Sequence, residues 1–189
     1  MEAFFSSTLA VSIAEIGDKT QLLALLLAAR YGRPWAISAG VLVATLVNHA
    51  LSAWLGAALA DAIPSQWISW IVGISFIGIG LWLLFPDKED EQQSRFAHYG
   101  PFLATLFLFF IAEIGDKTQI ATVILAAKYS TDLLMTVAVI AGTTLGMLIA
   151  NIPVIFAGKW IMNRLPMKLA HKAACVIFIS LGIITLLSS

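Results

Sequence analysis

Six apolar stretches, separated by short polar connections, run along this chain at residues 3–29, 35–60, 66–85, 100–127, 132–158 and 168–187. Each supplies the roughly 20 residues that a helix needs to cross a hydrocarbon core of about 30 Å. Backbone groups in that solvent must be satisfied within the segment, so each stretch is predicted to be a helix. The first, fourth and fifth are longer than a straight crossing requires, which predicts tilt or an internal break. Pro153 predicts a kink in the fifth. Trp35, Trp67, Trp82, Tyr129 and Trp160 fall near segment ends, where interfacial aromatics collect. Residues 86–99 open with the only strongly polar run, Pro86 to Arg95, and read as a solvated linker. A second reading of its acidic residues is that they gather cations near a pore mouth.

The chain also repeats itself. Ala14-Glu15-Ile16-Gly17-Asp18-Lys19-Thr20-Gln21 recurs letter for letter as Ala112-Glu113-Ile114-Gly115-Asp116-Lys117-Thr118-Gln119, 98 positions later. The match continues through Ala28, Ala29, Arg30 and Tyr31 against Ala126, Ala127, Lys128 and Tyr129. Beyond a small length difference, Ala39, Gly40, Gly56, Pro64 and Gly80 match Ala141, Gly142, Gly158, Pro166 and Gly182 at an offset of 102. Nearly the whole chain is therefore a duplicated three-helix unit. An odd number of crossings makes the second copy enter the membrane from the opposite side. The expected fold is an all-α integral membrane protein, with six transmembrane helices arranged as two inverted-topology three-helix repeats. The repeats occupy 1–85 and 100–189, and residues 86–99 form a polar cytoplasmic linker between them.

Composition agrees with a lipid bilayer as solvent: 60% hydrophobic, 12% charged, with a mean hydropathy of +0.92. Acidic and basic residues balance, so net charge gives no reason to expect a nucleic-acid partner. Distribution says more than balance. Arg30, Arg33, Lys88, Arg95, Lys159, Arg164, Lys168 and Lys172 fall on one side of the predicted topology, and only Lys128 on the other. The positive-inside rule makes the first side cytoplasmic and puts both termini outside, which in a bacterial inner membrane means the periplasm. Glu2 stands where a signal peptide would carry basic residues, so no cleavable leader is expected. Cys175, alone in an apolar run, is expected in the core.

Ionisable side chains inside such stretches are costly, and are functional candidates by default. Glu15 and Asp18 are three residues apart, as are Glu113 and Asp116, so on a helix each pair shares one face. Inverted symmetry would bring the two faces together as one site of four carboxylates. Lys19 and Lys117, each four residues after its glutamate, can pair with it. Fully ionised, the six groups sum to a charge of −2, which one divalent cation neutralises. Burial disfavours the charged carboxylate, so proton release on cation binding would follow naturally. Gly17 and Gly115 permit either a helix break that exposes carbonyls or close helix packing. Gln21 and Gln119 are further oxygen ligands in this reading. Thr20 and Thr118 add hydroxyls that also bond back to their own helix. Asn48 and Asn151, one position out of register in the repeat, are either interhelical hydrogen-bonding residues or ligands that complete the shell. His49 is either a packing residue or a proton relay. The candidate donors are all oxygens, which suits Mg²⁺, Ca²⁺ and Mn²⁺ better than Zn²⁺ or Cu⁺.

Two complete Glu-x-Gly-Asp-Lys-Thr motifs, Glu15 to Thr20 and Glu113 to Thr118, each in the first helix of a three-helix half, resemble the signature of the Gdt-type cation exchangers. That family includes bacterial manganese exporters of the MneA type and Golgi and chloroplast Mn²⁺/Ca²⁺ transporters, and the resemblance covers essentially the full chain. It implies export of Mn²⁺ from the cytoplasm, Ca²⁺ as a second substrate, H⁺ or Na⁺ as counter-ion and no resident cofactor. A homodimer is compatible with so few helices. A Ca²⁺/H⁺ antiporter would use the same groups. An amino-acid exporter would need sites for a carboxylate and an amine, and an intramembrane enzyme an asymmetric acid and base. The duplicated acidic motifs argue against both, and a purely structural membrane protein has no use for buried charge.

Overall fold

The computed structural model describes residues 1–82, 99–158 and 167–187. The expected linker at 86–99 lies outside these residues except for Tyr99. So do Lys88, Arg95, Lys159, Trp160 and Arg164 of the charge and aromatic patterns. Eight helices occupy the described residues: α1 (Glu2–Ala14), α2 (Lys19–Tyr31), α3 (Pro34–Ala62), α4 (Ser65–Trp82), α5 (Pro101–Glu113), α6 (Lys117–Tyr129), α7 (Leu133–Ala157) and α8 (Met167–Leu187).

Local chemistry sets several of these boundaries. Pro34 and Pro101 open α3 and α5, where the missing N–H would have no helical partner anyway. Asp132 caps α7 by accepting from the Met135 amide at 2.8 Å. Gly32 ends α2 in the left-handed conformation at φ 60°. The first and fourth apolar stretches, expected as 3–29 and 100–127, are each two helices with a break at the acidic motif. Gly17 at φ 87° and Gly115 at φ 77° make those breaks. A Cβ on Gly115 would touch nothing within 4 Å, so at this position the glycine serves backbone conformation and not packing. α7 continues through Pro153 to Ala157.

Packing in one half of the chain recurs in the other. α1 packs on α7 as α5 packs on α3, α2 meets α7 as α6 meets α3, and α4 lies along α8. Glycines set the closest approaches, because small residues let helix backbones meet in lipid. A Cβ on Gly142 would sit 2.5 Å from the Phe4 carbonyl oxygen and 3.0 Å from Ser7 Cβ; one on Gly40 would sit 2.8 Å from both the Phe102 oxygen and Thr105 Cβ. Gly80 abuts the Cys175 carbonyl, and Gly182 the Gly73 carbonyl. These contacts are equivalent under the repeat offsets.

The surface is apolar and much of the interior is polar. Trp35, Trp54, Leu133 and Leu134 are at least 69% exposed, and most of one side of α3 (Leu42, Leu46, Leu51, Leu55, Leu59) faces outward. Glu15, Glu113, His49, Thr45 and Asn151 are fully buried. Exposed apolar area on this scale needs lipid to cover it. α3 and α7, with mean hydropathies of 1.6 and 2.2, are by themselves long and apolar enough to cross a bilayer. The described residues are all-helical, and their exposed apolar surface is consistent with a membrane protein.

Candidate metal centre

Both helix breaks are built from the motif's own side chains. The Gly17 amide donates to Gln21 Oε1 at 2.8 Å, and the Gly115 amide to Gln119 Oε1 at 2.6 Å. Thr20 Oγ1 donates to Glu15 Oε2 at 2.6 Å, and Thr118 Oγ1 to Glu113 Oε2 at 3.0 Å. Each glutamine thus bridges the break, and each threonine fixes its glutamate by one oxygen. The other oxygens, Glu15 Oε1 and Glu113 Oε1, have no hydrogen-bond partner although buried. Asp18 and Asp116 occupy the N-cap positions of α2 and α6, yet neither carboxylate caps its own helix. Their Oδ2 atoms are buried without a hydrogen bond as well. Buried acceptors without a hydrogen bond are uncommon, and Glu15 Oε1 and Glu113 Oε1 stand at corresponding places in the two motif copies.

Carboxylate oxygens of Glu15, Glu113 and Asp116 lie within 4.8 Å of one another. One comes from the first motif copy and two from the second. Asp18 is buried but outside this tight group. Positive charge comes from across the repeat: Lys19 Nζ lies 3.6 Å from Asp116 Oδ1. The four-residue spacing predicts that Lys19 pairs with Glu15 on one helix. The break between them removes the shared helical face, and the lysine reaches Asp116 of the other half. Lys117 is buried with its Nζ 5.8 Å from the centre of the Trp82 ring.

The remaining sequence candidates divide. Asn151 lies against the Glu15 carboxylate. Its Nδ2 donates to the Met147 carbonyl at 3.1 Å, and its Oδ1 is buried without a partner. Asn48 donates from Nδ2 to the Phe110 carbonyl at 3.1 Å, tying α3 to α5 just before the second break. Gln21 is held at both ends, since its Nε2 also donates to the Ala150 carbonyl at 2.9 Å. One lone pair remains on its amide oxygen, and on that of Gln119. The bridging role of the glutamines was not read from the sequence, although a glutamine four residues after a break-forming glycine was the available signal. Gln21→Leu is expected to destabilise the protein by about 1–3 kcal/mol per orphaned buried group. It should do more harm than Gln119→Leu because it also removes the tie between Gln21 and the Ala150 carbonyl of α7; melting of both variants in detergent checks this.

One acidic motif, present in two copies at two helix breaks, is a property that can be compared across proteins. The family described as divalent cation/proton antiporter GDT1 matches residues 3–91 and 101–189, both halves of the chain. The chain belongs to the GDT1 family. It is similar to a Vibrio cholerae protein described as "Putative manganese exporter", 47% identical over 98% of this chain and 90% of that protein. It is also similar to GDT1-like protein 5 of Arabidopsis thaliana, 27% identical over all of this chain and 96% of that one. A GDT1-like protein of Synechocystis is 26% identical over 98% and 97%. No solved structure matches. The resemblance seen in the motifs and the family found by comparison agree, and membership makes the chain a membrane cation transporter.

Proposed function

We propose that this GDT1 protein exports Mn²⁺ from the cytoplasm in exchange for protons, at one central site built from both motif copies. The carrying observation is the mutual approach of Glu15, Glu113 and Asp116 oxygens to within 4.8 Å. Three like charges that close are unstable together in a low-dielectric interior. A divalent cation or protons must relieve them, and the two compete for the same oxygens. That competition is the exchange chemistry.

In this reading Glu15, Glu113 and Asp116 bind the cation directly, and Asp18 joins from the facing break. Asn151 Oδ1 and the second lone pairs of Gln21 and Gln119 complete the shell, while Asn48 holds α3 in register. Lys19 neutralises Asp116 when the site is empty. α1 with α2 makes one crossing and α5 with α6 another, so that eight helices give six spans in two inverted repeats, 1–85 and 100–189. The equivalent glycine contacts of the two halves support that division. The membrane is the bacterial inner membrane, with both termini periplasmic. The relative described as "Putative manganese exporter" and the family described as divalent cation/proton antiporter support the substrate and the counter-ion.

Purified protein in proteoliposomes, given an imposed pH gradient, should move Mn²⁺ against its own gradient with proton counterflow, and excess Mg²⁺ should not stop it. Coupling to a sodium gradient alone would replace the counter-ion. Preferential Ca²⁺ flux would make it a Ca²⁺/H⁺ antiporter. Absence of divalent flux under both gradients would refute the reading.

A further inference from the structure

His49 is a buried imidazole that the carboxylate site does not explain. It is fully buried on α3, and neither Nδ1 nor Nε2 has a hydrogen-bond partner. Leaving such a group unsatisfied costs about 1–3 kcal/mol, a cost that a leucine at the same position would not carry.

Contacts along α3 fix where His49 lies. Gly40 meets Phe102 and Thr105, Asn48 bonds the Phe110 carbonyl, and Gly56 meets Val123 and Ala126. α3 therefore runs along α5 and then α6, and its residues near 48–52 pass the second break beside Glu113. α7 does the same at the first break: Gly142 meets Phe4, Gly146 meets Ser12, and Gln21 bonds the Ala150 carbonyl. At the offset of 102, the counterpart of His49 is Asn151, the residue that lies against Glu15 with an unpartnered Oδ1. The asparagine at 48 is the neighbour of this position, which is why the two asparagines are out of register. Asn151 is the amide beside Glu15, and by the repeat offset His49 is the residue at the equivalent position on α3, the helix that crosses the second break. Thr45, one turn before His49 on the same face, is also buried with an unpartnered hydroxyl.

We infer that His49 gives a neutral imidazole nitrogen to the transported cation and biases the site toward Mn²⁺ over Ca²⁺ and Mg²⁺. The inference rests on the carboxylate site proposed above. Imidazole suits first-row transition ions, whereas Ca²⁺ and Mg²⁺ favour all-oxygen shells. The tight group of Glu15, Glu113 and Asp116 forms without His49. In this proposal the ring joins that group when the cation binds.

Pulsed electron paramagnetic resonance of Mn²⁺ bound to the full-length protein tests this without transport. Nitrogen coupling is expected in the wild type and should be absent in His49→Asn, which installs the residue of the other half. In the same variant Mn²⁺ affinity should fall about tenfold, with Ca²⁺ affinity unchanged or improved. Bound Mn²⁺ without nitrogen coupling in the wild type, or an unchanged Mn²⁺-to-Ca²⁺ preference in His49→Asn, would overturn the role of His49 alone. Wild-type protein that binds no Mn²⁺, or Glu113→Gln that binds it normally, would instead bring down the carboxylate site and this inference with it.

Discussion

Glu113→Gln is expected to lose Mn²⁺ transport by on the order of a hundredfold or more while folding as well as the wild type. The amide keeps the shape and can still receive the Thr118 hydroxyl, now at 3.0 Å from Glu113 Oε2. It removes one of three charges crowded within 4.8 Å, and with it an anionic ligand. Relief of that repulsion should leave the metal-free melting temperature unchanged or higher, the usual sign of a site kept for function at a cost in stability. Glu15→Gln should behave alike, because Thr20 holds Glu15 in the same way. Transport in proteoliposomes and melting in detergent, measured on the same preparations, separate the outcomes. Lost transport together with a large fall in melting temperature would make the glutamates structural.

The second large effect falls far from the site. Gly56→Ala should destabilise the protein by about 1–3 kcal/mol, because the new methyl would overlap the Val123 carbonyl and lie 2.8 Å from Ala126 Cβ. Backbone flanks it, so α3 and α6 must move apart. Asp116 occupies the N-cap position of α6, and a shift there should also weaken cation binding. Gly78→Ala is the contrast: a Cβ there meets nothing within 4 Å, and replacing a helical glycine gains up to about 1 kcal/mol. Equal melting temperatures for the two variants would mean that the close crossing of α3 and α6 does not hold the fold.

The apolar stretches gave the helices almost to their ends, since a bilayer allows so few alternatives. Span length predicted tilt or an internal break in the first, fourth and fifth stretches; the first and fourth are broken at the acidic motif, and the fifth is one continuous helix, α7. The place of the interruption was legible in Gly17 and Gly115 only as one of two readings, because helix packing also selects glycine. The buried carboxylates stood out because their neighbours are apolar. What the sequence concealed was direction. Lys19 reads as a partner of Glu15 on a continuous helix, but the chain breaks between them and the ammonium lies 3.6 Å from Asp116 Oδ1 of the other half. Gln21 and Gln119 read as ligands, and their amide oxygens accept from the glycine amides of the breaks. Asn48 and Asn151 look like a misaligned pair until the helix crossings match Asn151 with His49.

The central claim is that two motif copies make one cation site, and counting bound ions tests it most directly. Calorimetric titration of the purified protein with Mn²⁺, in two buffers of different ionisation heat, yields both stoichiometry and protons released. One Mn²⁺ per chain is predicted, with proton release on binding, and with binding lost in Glu15→Gln and in Glu113→Gln alike. Two Mn²⁺ per chain, each variant losing one and keeping the other, would contradict it: the motifs would then be separate sites.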